Sequence, residues 1–102
     1  MDEANETMVV GLGMVSLRLH DCRSLKGKRG IIKSIIGQIR NQFNASVAEV
    51  GANDSHQAAR IGMALVGNDR AVINSKLDKI FNMVDAMGVA EVVDTDLEIM
   101  NV

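Results

Sequence analysis

The sequence predicts a single α+β domain with the element order β-α-β-β-α-β. Three patterns predict it. Four stretches alternate apolar and polar residues with the period of two that a half-buried strand requires. Two longer stretches repeat their apolar residues at the 3.6-residue period of a helix. Turn residues separate the stretches. The 102-residue length suits one domain, and 47% apolar residues can supply one core. The 24% of charged residues is ordinary for a globular chain and argues against general disorder.

Residues 1–7, acidic and polar, are expected to be a flexible tail ahead of a domain spanning 8–102. The stretch from Met8 to His20 is the first strand. Its odd positions, Val9, Gly11, Gly13, Val15, Leu17 and Leu19, suit a face packed on helices. Its even positions begin apolar with Val10, Leu12 and Met14 and become polar with Ser16, Arg18 and His20. Ser24 is an N-cap for a helix reaching about Phe43. Leu25, Ile32, Ile35, Ile36, Ile39 and Phe43 form its core stripe, within an arc of about 100°. Gly27, Gly30 and Gly37 each weaken that helix by about 1 kcal/mol relative to alanine.

Asn44 ends the helix, and Ala45 to Val50 alternates as a short strand. The polar run Gly51 to Gln57 connects it to a third strand from Ala59 to Val66. There Ile61, Met63 and Leu65 take one face and Arg60, Gly62 and Ala64 the other. Asn68 or Asp69 caps a second helix, which carries Ile73, Leu77, Ile80 and Val84 at helical spacing until Gly88 stops it. Glu91 to Met100 is the last strand. Val93, Thr95, Leu97 and Ile99 are expected on one face, with Asp94, Asp96 and Glu98 on the other. Right-handed crossovers then favour the ferredoxin-like sandwich, with strand order 4-1-3-2 and both helices on one sheet face.

The stretches RSLKGKRGIIKSI (Arg23 to Ile35), RNQFNASVAEVG (Arg40 to Gly51) and GNDR (Gly67 to Arg70) resemble the YlxP-like family, a domain of unknown function numbered 503. The resemblance runs from about Met8 to Met100. It implies the same ferredoxin-like fold, in a small bacterial protein of a kind encoded among translation and ribosome-maturation genes, and it implies no activity. Two positions depart from the family pattern. Gly27 stands where an acid would complete a capping box with Ser24, and His56 stands near a position often taken by tryptophan.

Charge is segregated along the chain. From Arg18 to Arg40 the sequence holds seven bases (Arg18, Arg23, Lys26, Lys28, Arg29, Lys33 and Arg40) against one acid, Asp21, although the whole chain has a net charge of -2. Lys26, Arg29, Lys33 and Arg40 fall within an arc of about 60° on the first helix. A cationic stripe beside a helix N-terminus predicts contact with phosphates, and the gene context that the resemblance implies makes structured RNA or a ribosomal particle the expected partner. The alternative is a solvated face that balances the acidic last strand. Strands one and three carry no aromatic residue, so no base-stacking platform is expected.

Val10, Leu12 and Met14 on the open sheet face predict an apolar patch for self-association. The alternative function is therefore a homodimeric structural or regulatory protein, whose open sheet binds itself, a protein or a small ligand. Asp94, Asp96 and Glu98 are spaced about 7 Å apart along a strand, wide for one cation, and suit a solvated edge. Gly11 and Gly13 nearly spell a dinucleotide fingerprint, but no helix follows at once, so the phosphate cradle is missing. His20, Asp21 and Cys22 are contiguous and point apart, which does not suit a metal site. No nucleophile with a base, metal set or phosphate loop is found, so the chain is expected not to be an enzyme and to need no cofactor. A single cysteine precludes an internal disulfide. The absence of a secretory pattern and of any apolar run of about 20 residues predicts a cytoplasmic protein without membrane contact.

Overall fold

In a computed structural model that describes residues 7–102, the chain forms β1 (Val9–Arg18), α1 (Leu25–Gln42), β2 (Ser46–Gly51), β3 (Ala58–Gly67), α2 (Arg70–Met87) and β4 (Glu91–Asn101). The expected tail, apart from Thr7, lies outside the described residues. All strand pairs are antiparallel, and the sheet order is β2-β3-β1-β4. This is the expected ferredoxin-like sandwich. α2 packs over β1, β3 and β4, while α1 packs over β2.

The core lies between the helices and one sheet face. Val9, Val15, Leu17 and Leu19 meet Ile32, Ile35 and Ile39 of α1 and Ile73, Leu77, Ile80 and Val84 of α2 in one buried cluster. The glycines of β1 admit α2 closely. A Cβ on Gly13 would lie 2.6 Å from Met63 Sδ and 2.9 Å from a Leu77 methyl, and one on Gly11 would collide with Ile73. Close packing of the helix, not nucleotide binding, accounts for this pair.

The helix ends follow from local chemistry. Ser24 Oγ accepts from Gly27 N at 3.0 Å, half of a capping box. Asp69 accepts from the Ala71 and Val72 amides. Gly88 closes α2 in the left-handed conformation at φ 68°, which costs glycine little.

Two expectations about facing need correction. Leu25, placed on the α1 stripe, is exposed, and Lys28 occupies the stripe instead, at 2% exposure. The inward position expected for Val93 is taken by Val92. The β1–β4 register shifts between Ser16, opposite Asp94, and Leu17, opposite Val92. That bulge leaves Val93 without a partner and 48% exposed, while Val92 packs against the core.

Candidate binding surfaces

The basic segment does not fold into one surface. Lys28 lies one helical turn before Ile32 and points inward. Its ammonium donates to the carbonyls of Ala52 (2.6 Å) and Ser55 (2.7 Å) and lies 2.9 Å from Glu49 Oε2. That buried oxygen has no directed hydrogen bond of its own, so the contact is an ion pair. Two of the ammonium's three donors go to the carbonyls, and the carboxylate balances its charge. They tie α1 to the β2–β3 connection, where Ala52 is held at φ 58°. An exposed, phosphate-binding Lys28 is therefore incorrect: burial and a neutralising carboxylate withdraw it.

Arg18 is separated from the stripe for a topological reason. The odd residues of β1 are buried under the helices, so even-numbered Arg18 stands on the opposite sheet face, across the ladder from Glu91 and Ala58. The cation row expected from Arg18 to Arg40 is thus divided by the sheet. Nearby, His20 Nε2 lies 2.7 Å from Glu91 Oε1, so the carboxylate that reaches His20 is the first of β4 and not one of Asp94, Asp96 and Glu98.

Arg23, Lys26, Arg29, Lys33 and Arg40 remain exposed on or just before α1. Among the described residues none of the five makes an ion pair. Arg29, Lys33 and Arg40 border an open groove of about 650 Å³ between α1 and the edge strand β2, floored by Ile32, Ile36, Gly37, Val47 and Ala48. Arg40 also donates to the Val47 carbonyl at 2.9 Å, covering part of the β2 edge. The arrangement offers charge-assisted hydrogen bonds to an anion lying along the helix.

The second surface is the open face of the sheet. Its register places Val10 between Val66 and Met100, Leu12 between Ala64 and Glu98, Met14 between Gly62 and Asp96, and Ser16 between Arg60 and Asp94. Leu12 is 38% exposed, while Val10 and Met14 are half-buried. Beside them Ala48, Gly62 and Ala64 floor a shallow hollow of about 310 Å³. The chain's two phenylalanines lie elsewhere: Phe81 is buried and Phe43 packs against the core. Strand alternation alone places Arg60 on this face. Its significance depends on the row it shares with Asp94, which only the register reveals.

Cys22 is buried and its thiol donates to the Ser24 carbonyl at 3.4 Å, a structural contact. Among the described residues no three His, Cys, Asp or Glu side chains gather as a metal site, and no helix is long and apolar enough to cross a membrane.

Comparison with known proteins gives a family. The family model described as "Protein of unknown function (DUF503)" matches residues 10–97. "Uncharacterized protein YlxP" of Bacillus subtilis (strain 168) is 30% identical over 78 residues, 76% of this chain and 85% of that protein. Among solved structures, the de novo designed protein Foldit4 aligns with a TM-score of 0.47 at 13% identity, over 95% of this chain and 97% of that one. A protein described as a dimeric ferredoxin-like protein, from an uncultured marine organism, aligns with a TM-score of 0.46 at 9% identity, over 95% and 96%.

Proposed function

The chain belongs to the DUF503 family, and from that premise we propose that it is a non-catalytic module binding structured RNA, ribosomal RNA in the first place, through phosphates laid along α1. The observation that carries this reading is the row of Lys26, Arg29, Lys33 and Arg40, exposed and free of ion pairs among the described residues. The loss of Lys28 and Arg18 narrows the contact but does not interrupt the row. Without aromatics on the open sheet, recognition runs through backbone charge and shape, not base stacking.

A filter-binding titration against ribosomal RNA at two salt concentrations tests it. Four phosphate contacts lose roughly 100-fold in affinity between about 50 and 200 mM salt. Lys26→Glu combined with Arg29→Glu should remove at least half of the salt dependence and weaken binding at low salt. Absence of binding at low salt, or binding indifferent to salt and to the double substitution, would reject the proposal.

A second reading has its own observation. Leu12, Val10, Met14, Val66 and Met100 lie together on the uncovered sheet face, with Leu12, Val66 and Met100 exposed. An apolar centre of that kind suits a protein partner. Loss of association on Leu12→Lys, measured by sedimentation, is the expected outcome; an unchanged sedimentation coefficient in an associating protein would count against the face.

A further inference from the structure

The open face is divided into two unlike halves. Along β1 stand the large side chains Leu12 and Met14. Opposite them on β3 stand Ala64 and Gly62, and beyond these on β2 stand Ser46 and Ala48. In these two rows the β1 half stands higher than the β3–β2 half, where Val50 leans over Gly62, whereas Val10 and Val66 are matched in height. Charge is divided in the same sense. Asp94, Asp96 and Glu98 line β4, whereas β2 presents Ser46, Ala48 and Val50.

Arg60 breaks the neutrality of the β2–β3 half. It is exposed, and among the described residues it has no ion-pair partner. Its Cδ lies 3.0 Å from where a Cβ on Gly51 would sit, so its stem leans over β2, away from Asp94. Gly51, Arg60, Ser16 and Asp94 share one row across the four strands.

We propose that this face seats a second copy of the chain, related by a two-fold axis that runs parallel to the strands between β1 and β3. This rests on reading the open sheet as a protein-binding face, and names its occupant and mode. Such an axis exchanges β1 with β3 and β4 with β2 while keeping each row at its level. Leu12 then sits over Ala64 of the second copy and Met14 over its Gly62, ridge into trough in both directions. Asp94 of each copy lies over the β2 side of the other, where Arg60 is already leaning. Two reciprocal Arg60–Asp94 pairs close the row.

The other ways of pairing two copies are disfavoured by the same residues. An in-plane axis perpendicular to the strands stacks β4 on β4 and sets Asp94, Asp96 and Glu98 against their own counterparts. Edge pairing through β2 must displace Arg40 from the Val47 carbonyl, and edge pairing through β4 joins two acidic ladders. Two sheets packed face to face in aligned fashion accept the natural twist of about −30°. Strands about 4.8 Å apart, three of them about 33 Å long and the six-residue β2 about 20 Å long, give an overlap on the order of 500 Å² per copy, at the lower limit for a stable interface.

Sedimentation of the full chain over roughly 1 to 100 µM tests the proposal. The unmodified protein should dimerise, and Leu12→Lys should leave it monomeric. Arg60→Asp alone and Asp94→Arg alone should each weaken the dimer more than tenfold, because each sets like charges together twice. Mixing the two single variants should restore a heterodimer. There the retained Arg60 of one chain meets the retained Asp94 of the other, and the two introduced residues also meet with opposite charge. No rearrangement within one chain produces this rescue. Both positions are exposed, and unchanged far-ultraviolet circular dichroism would establish that the variants are folded. A monomer across the whole range overturns the second copy as occupant. A dimer that survives Leu12→Lys overturns the face itself. A dimer that Leu12→Lys breaks but the mixture fails to rescue overturns the two-fold mode and leaves the face standing.

Discussion

Strand β1 has two sides built on opposite rules. Toward the helices it presents Gly11 and Gly13, where no methyl group fits, between buried Val9 and Val15. Away from them it presents Val10, Leu12 and Met14, bulky side chains on a face that no other element covers among the described residues. Here the covered side gives up side-chain volume so that α2 can approach, and the apolar volume displaced from it stands outside. The difference teaches that stability and recognition are assigned to opposite sides of one strand, and that substitutions should separate them.

The largest expected effect is on the covered side. Lys28→Met removes the cation from Glu49 and from two loop carbonyls and should destabilise the fold by about 3 kcal/mol in urea unfolding. That is the lower part of the range for a broken buried pair, because the Glu49 side chain keeps 22% exposure. Adding Glu49→Leu should recover much of the loss, since removing both charges avoids an uncompensated one. A loss under about 0.5 kcal/mol would mean that Lys28 belongs with the exposed cations after all.

Gly11→Ala comes next, with an expected cost of about 1–3 kcal/mol from overpacking against Ile73. Ser24→Ala should cost about 1 kcal/mol by removing the cap on Gly27 N. The smallest effect belongs to the exposed row: Lys26→Glu with Arg29→Glu should shift the unfolding free energy by no more than about 0.5 kcal/mol while changing RNA affinity. A large stability loss from that pair would break the division between the two roles.

Much of this was legible in the sequence because the signals were local. The alternation of β1 gave its buried set, Ser24 gave the start of α1, and Gly88 gave the end of α2. The rest depended on partners distant in sequence. Lys28 stands at helical spacing from Ile32, Ile35 and Ile39, so its inward phase was visible, but its acceptors lie 24 and 27 residues on. Without them a buried ammonium has no reason to exist, and the charge was read as exposed. Val93 was misassigned because a bulge belongs to two strands, and Val93 alone carries no mark of it. The row joining Arg60 to Asp94 spans three strands, and periodicity within one strand does not register it against another.

The unpaired position in β4 has a consequence for how chain length can vary. Removing Val93 would join Val92 to Asp94 and make the ladder with Leu17 and Ser16 regular. Every other side chain of the strand would keep its side. Removing Thr95 instead would reverse the strand on one side of the cut and turn carboxylates toward the core. Position 93 is therefore where an insertion or deletion can be absorbed, and length differences among relatives in this strand should collect there.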